Sequence, residues 1–170
     1  PFASQAFGVT PDIMTMAKAV TNGVVPLGAV ASRENIYDTV LDASPMGAVE
    51  FFHGYTYSAI PVSMAAGLAM QNIIEKENLF QRSKDMSPYF LDGLFSLKDI
   101  DVITDIRGYG MMGGIDIHLD ERPGKAGYAC FKKLFEAGLS LKATGDCLIV
   151  APPFVCETEH IDEIIEKLRT

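Results

Sequence analysis

The run Asp12-Ile-Met-Thr-Met-Ala-Lys-Ala-Val-Thr-Asn-Gly-Val-Val-Pro-Leu-Gly-Ala-Val-Ala31 decides how the chain is read. Asp12–Met16 predicts a strand, Thr21–Pro26 supplies turn chemistry, and Leu27–Ala31 predicts a second buried strand. Ser32 stands where a helix N-cap belongs, before a predicted helix over 33–41 with Glu34 in its first turn. Buried strands joined by short turns and followed by a helix indicate part of an α/β domain.

Outward from that run, residues 42–48 read as a loop broken by Pro45 and Gly47. Phe51–Ser58 reads as a short aromatic strand entering another loop. Pro61 suits the first turn of a helix reaching about Lys76, since its missing N–H has no helical partner there. That helix is almost wholly apolar and is expected to be buried between layers. A second helix over 77–96 carries Leu79, Phe80, Met86, Phe90, Leu91 and Leu94 as an apolar stripe. Residues 102–119 read as strand, glycine turn at Arg107–Gly110, and strand. A helix near 126–137 ends at Gly138, a suitable C-cap. Strands are expected at 139–141 and 148–151, Pro152 and Pro153 stop the second, and Thr158 caps a final helix over 159–168.

The character of the elements changes near residue 78, which divides the chain into 1–77 and 78–170. The second part alternates helices and strands and can close a small α+β domain by itself. The first part has too little to finish a core, which points to an obligate oligomer or to further chain before Pro1, where no initiator Met stands.

The chain has 170 residues, 14 basic against 22 acidic side chains, and a net charge of −8. That balance opposes a nucleic-acid or anionic-membrane surface, which needs cations to neutralise phosphates. Hydrophobic residues make up 48% of the chain, enough to exclude a disordered polymer. No apolar run approaches the roughly 20 residues of a membrane helix, and no signal peptide is visible. The three cysteines, Cys130, Cys147 and Cys156, lack the spacing of a zinc site or a disulfide framework. They read as small buried hydrophobes in a reducing cytoplasm. His118 and His160 have no ligand-spaced companions, so no metal is expected.

Lys18 is the charge of most interest, set among apolar residues just after a strand. A desolvated lysine offers the free amine that bonding to an aldehyde cofactor requires; equally, a lysine there can snorkel to solvent. In His53-Gly-Tyr-Thr-Tyr-Ser58, the Thr56 and Ser58 hydroxyls precede a helix start, where a phosphate can bind; an ordinary ST-type cap is the plainer reading. Arg107 suits an anion or a solvated turn. Lys142, before a turn that leads into a strand, can meet a substrate carboxylate or lie on the surface.

In order along the chain, these motifs resemble those of class III (subgroup II, ω) aminotransferases. Pro11–Val30 resembles the family's lysine segment, and His53–Ser58 its phosphate-binding segment. Arg107-Gly-Tyr-Gly-Met-Met-Gly-Gly-Ile115 and Gly145-Asp-Cys-Leu-Ile-Val-Ala-Pro-Pro-Phe154 are similar to its C-terminal landmarks. The likeness is nearest to ω-amino acid:pyruvate (β-alanine:pyruvate) aminotransferases and covers essentially the whole chain.

The resemblance implies the C-terminal portion of a fold-type I, pyridoxal-phosphate-dependent transferase acting as a homodimer in the cytoplasm. Residues 1–77 would end the large α/β domain, and 78–170 would form most of the small α+β domain. Lys18 would form the Schiff base with pyridoxal 5′-phosphate and carry the proton during amino transfer from an ω-amino acid or amine to a keto acid. Thr56, with Tyr55 beside it, would bind the cofactor, Thr56 reaching the phosphate of the neighbouring subunit. Lys142 would bind substrate where many ω-aminotransferases carry an Arg that grips a carboxylate bidentately; a Lys is a point charge there. Two smaller departures are Ala19 in place of a usual Gly, and Ala59-Ile60 before Pro61. The family's carboxylate partner for the pyridinium nitrogen lies upstream of Pro1, so the 170 residues alone are expected to be inactive or nearly so. Decarboxylase, racemase or mutase chemistry on the same fold, and a non-catalytic folding or dimerisation module, are the competing expectations.

Overall fold

A computed structural model describes residues 2–46, 55–119 and 122–170. The chain divides into two compact units, Pro1–Glu77 and Asn78–Thr170, each treated by itself below.

The first unit opens with a single helical turn, α1 (Ala3–Ala6), followed by β1 (Ile13–Ala17), β2 (Gly28–Ser32), α2 (Glu34–Asp42) and α3 (Pro61–Lys76). β1 and β2 form an antiparallel ribbon with Met14 opposite Ala31 and Ala17 opposite Gly28. Ser32 is the last residue of β2, and Arg33 takes the N-cap position expected for it. The reason is an ion pair across the ribbon's end: Arg33 Nη1 lies 3.2 Å from Asp12 Oδ1, and the Arg33 amide donates to the Asp12 carbonyl. The aromatic strand expected over 51–58 lies outside the described residues up to 54. Its described remainder is a turn, in which the Ser58 amide donates to the Tyr55 carbonyl.

α3 begins at Pro61 as its fixed φ and missing donor predict. Its expected burial is only partly met within this chain. Ser63 and Gly67 are buried, whereas Val62 and Leu68 are 59% and 67% exposed. The turn joining β1 to β2 packs on one stripe of the helix through Val20, Pro26 and Leu27.

The second unit contains α4 (Leu79–Phe95), β3 (Ile103–Tyr109), β4 (Met112–Ile117), α5 (Lys125–Glu136), β5 (Lys142–Thr144), β6 (Cys147–Val150) and α6 (Thr158–Arg169). The strands form an antiparallel sheet in the order β3-β4-β6-β5. Period-two alternation sends Ile106, Ile115, Ile117, Leu148 and Val150 into one core, where they join Phe90, Leu94, Leu97, Leu134 and Ile161 from the helices. The glycine turn sits two residues later than expected, with β3 running through Arg107 to Tyr109 and Gly110 turning at positive φ. Gly108 and Gly113 face each other across β3 and β4, and a Cβ on either would strike Leu91 or Leu94 of α4. Their bare backbone lets the helix lie close to the sheet.

The strand expected at 139–141 forms instead at Lys142–Thr144. Leu139 and Leu141 pack against the core from the connection after Gly138, whose amide closes α5 on the Phe135 carbonyl. Glu157, not Thr158, is the N-cap of α6, and its amide donates to His160 Nδ1.

Candidate functional site

Lys18 follows β1 directly and has φ +56°, the left-handed region that a residue with a Cβ seldom enters. Such a conformation costs on the order of 1–2 kcal/mol and persists only where surrounding structure enforces it. The enforcement is visible in the turn. The Thr21 and Gly23 amides both donate to the Lys18 carbonyl at 3.2 Å. Thr21, itself buried, donates from Oγ1 to the Val25 carbonyl at 2.6 Å. Ser63 of α3 donates from Oγ to the Pro26 carbonyl at 3.0 Å. Gly67 leaves room for Val20 and Leu27 against the same helix. The Lys18 side chain is exposed, so the desolvation expected from its apolar neighbours is not supplied by the described residues of this chain.

Because Thr21 pins this turn, Thr21→Val should leave the Val25 carbonyl without its hydroxyl donor at nearly constant volume. The expected cost is about 1 kcal/mol, read as a lower unfolding midpoint. No change in midpoint would show that the turn holds without that bond.

Tyr55 and Thr56 are exposed in the turn before α3. Ala59, at φ +56°, redirects the chain into Ile60 and Pro61. A hydroxyl a few residues ahead of a helix N-terminus is suited to an anionic oxygen, because the first helical amides have no helical acceptors. His53 and Gly54 lie outside the described residues. A primary amine on a pinned turn suits an aldehyde, and a hydroxyl near helix amides suits a phosphate, so each residue fits one end of a ligand that bears both groups.

Lys142 lies in the second unit, at the start of edge strand β5. The register places Lys142 opposite Ile149, Ile149 opposite Gly114, and Gly114 opposite Arg107. One step along, Thr144, Cys147, Asp116 and Asp105 form a second row on the same sheet face, opposite to the core. Lys142 is exposed there.

Arg107 does not offer a free guanidinium to an anion. Its Nη1 lies 2.8 Å from Asp105 Oδ2 and 2.6 Å from Asp116 Oδ2, and its Nη2 donates to Asp116 Oδ1 at 3.1 Å. These bonds raise the proton affinity of Arg107 and hold the Asp116 carboxyl below its ordinary range. Arg107 Nη2 also lies 3.4 Å from Cys147 Sγ. The three cysteines are free and half-buried, and desolvation pushes each thiol up.

One arrangement had no sequence signal. Asp146, in the turn between β5 and β6, accepts from the Gly124 amide at 2.8 Å and from the Gly127 amide at 2.9 Å, one carboxylate oxygen each. These two bonds hold its carboxyl below the ordinary range, and His118 adds a smaller effect in the same direction. The bonds therefore contribute stability fully above the ordinary carboxylate pKa and lose it as pH falls through the lowered one. Among the described residues no His/Cys/Asp/Glu cluster could hold a metal, and no helix is long and apolar enough to cross a membrane.

Residues 1–170 match the family model described as Aminotransferase class-III. An omega-aminotransferase of Caulobacter vibrioides is 41% identical over 172 residues, which covers 99% of this chain and 38% of its own. A beta-alanine–pyruvate aminotransferase of Pseudomonas aeruginosa is 43% identical over 167 residues, 97% of this chain and 37% of its own. Among solved structures, a thermostable omega transaminase engineered for synthesis of enantiopure bulky amines superposes with a TM-score of 0.92 at 27% identity, covering 99% of this chain and 39% of that one. The omega transaminase of Pseudomonas jessenii in complex with PMP gives 0.86 at 27% identity, with 99% and 38% covered. The chain thus spans less than two-fifths of the length of these relatives. Its fold is that of the fold-type I, α/β transaminases.

Proposed function

The chain belongs to the class III aminotransferases, and from that premise we propose that it is part of an ω-amino acid:pyruvate aminotransferase. Class III aminotransferases depend on pyridoxal phosphate. In this reading Pro1–Glu77 is the end of the large domain and Asn78–Thr170 the small C-terminal domain. The observation that carries the proposal is the strained, pinned backbone of Lys18, which presents its own exposed amine.

Pyridoxal phosphate supplies, when bound, an aldehyde that takes up the amino group and a ring that accepts electron density as the substrate C–H bond breaks. Lys18 Nζ would hold that aldehyde, and the same amine, when free, would carry the proton between the donor carbon and the cofactor's aldehyde carbon. Thr56, with Tyr55 alongside, would hold the cofactor phosphate of the neighbouring subunit, so that a homodimer would complete each site. Lys142 places an ammonium toward the substrate carboxylate, and its cross-strand neighbour Ile149 offers an apolar surface beside it. The protein works in the cytoplasm. These 170 residues alone are expected to turn over little or nothing.

Amino transfer from β-alanine to pyruvate by the holoenzyme tests the reaction. Formation of alanine in step with loss of pyruvate supports the proposal, and release of carbon dioxide, or loss of the donor without alanine, overturns it. Lys142→Arg is expected to lower KM for carboxylate-bearing acceptors severalfold relative to apolar ones, because a fork of donors replaces a point charge. Kinetics unchanged from wild type for both acceptor classes would remove Lys142 from the site.

A further inference from the structure

Lys142 lies on a strand of only three residues, at the sheet edge, with β6 as its one strand partner. A strand so short and so placed has little to fix it, yet a substrate contact needs a defined position. The restraint comes from the turn that follows. Gly145 has φ +60° at the first of the two central turn residues, the place that type II′ hairpins give to glycine. Next to it, Asp146 joins three elements. Its carboxylate accepts the Gly124 and Gly127 amides at the start of α5, and its carbonyl accepts the Ile117 amide at the end of β4 at 3.0 Å. Gly127 is buried, and a Cβ there would collide with the Gly145 carbonyl, so the turn sits directly on the helix backbone. α5 is in turn fixed to the core through Ala126 and Leu134.

We propose that Asp146 is a positioning residue for substrate binding: by clasping the β5–β6 turn to the N-terminus of α5, it sets where Lys142 meets the substrate carboxylate. The proposal rests on the reading of Lys142 as the carboxylate-binding residue. Asp146 does not touch substrate; it acts through the hairpin. An aspartate suits this place because two oxygens serve two amides at once, whereas asparagine of the same shape presents an acceptor to one and a donor to the other.

Amide hydrogen exchange on the full chain, wild type against Asp146→Asn, tests the clasp. The amides of Gly124, Gly127, Lys142 and Thr144 should exchange about tenfold faster in the variant, the size of a lost cap, while Arg107 and Ile115 keep wild-type rates. Faster exchange at Gly124 and Gly127 with β5 unchanged would overturn the proposal, as would an equal rise at every position. In the holoenzyme, Asp146→Asn should raise KM for a carboxylate-bearing acceptor about tenfold with kcat little altered, and leave an apolar aldehyde acceptor unaffected. A uniform fall in kcat for both acceptors would mean a general structural role and would overturn it. Lys142→Ala separates the two ideas. If it leaves carboxylate KM untouched while Asp146→Asn still loosens β5, the Lys142 reading fails and the clasp remains.

Discussion

Lys18→Ala is expected to abolish amino transfer by the holoenzyme, with a fall of at least the 10²–10⁴-fold that a positioned acid–base group typically supplies. The expectation follows from two tasks assigned to one amine, holding the cofactor aldehyde and moving the proton. Titration with pyridoxal phosphate, borohydride reduction and peptide mapping reads the first task without turnover. Wild type should carry the reduced label on Lys18, and the alanine variant should carry none in that peptide. Label scattered over surface lysines in both proteins would sink the assignment, because it would show that the turn confers no selectivity. The φ of +56° makes Lys18→Gly a useful companion, since glycine enters the left-handed region without strain. That variant should keep or raise stability while losing activity just as fully.

Phe90→Ala is expected to destabilise the second unit by about 3–5 kcal/mol. Phe90 has 0% exposure and belongs to the same core as Leu94, Ile106, Ile115 and Ile161, so its removal opens a cavity that neighbours on four elements would have to fill. Against a total stability of about 5–15 kcal/mol for an ordinary domain, that loss brings the unit near its unfolding threshold. Denaturant unfolding, followed by a probe in the second unit, measures it. A loss below about 1 kcal/mol would place Phe90 outside the core. Truncating Phe80, which is partly exposed and meets Phe154 edge-on, should cost far less.

Much of this architecture was legible in the sequence, and the rest was not for identifiable reasons. Pro61 and Gly138 mark helix ends through backbone chemistry that depends on the residue itself, so their positions could be read directly. The apolar stripe of α4 was legible because its period survives burial, even with Pro88 inside the helix. β5 was misplaced by three residues because an edge strand of Lys, Ala and Thr has no apolar alternation, whereas Leu139 and Leu141 just before it do. Ser32 lost the cap to Arg33 through a pairing with Asp12 that lies across a hairpin. The candidate site divides in the same way. Lys18, Thr56 and Lys142 came from local wording set beside a family. The left-handed turn at Lys18 and the clasp of Asp146 come from three-dimensional closure, with Asp146 and Gly127 separated by 19 residues.

The ribbon of β1 and β2 has a consequence for handling the protein. Its strands, Ile13–Ala17 and Gly28–Ser32, contain no charged side chain, and among the described residues each has one edge without a strand partner. Such edges recruit other chains and seed aggregation unless charges at their ends discourage stacking. Asp12 and Arg33 guard one end, and Lys18 guards the other. The residue assigned to chemistry is thus also a gatekeeper of solubility. Lys18→Arg keeps the guard while removing the amine, so a catalytic loss in that variant, with the protein still monodisperse, belongs to the chemistry alone.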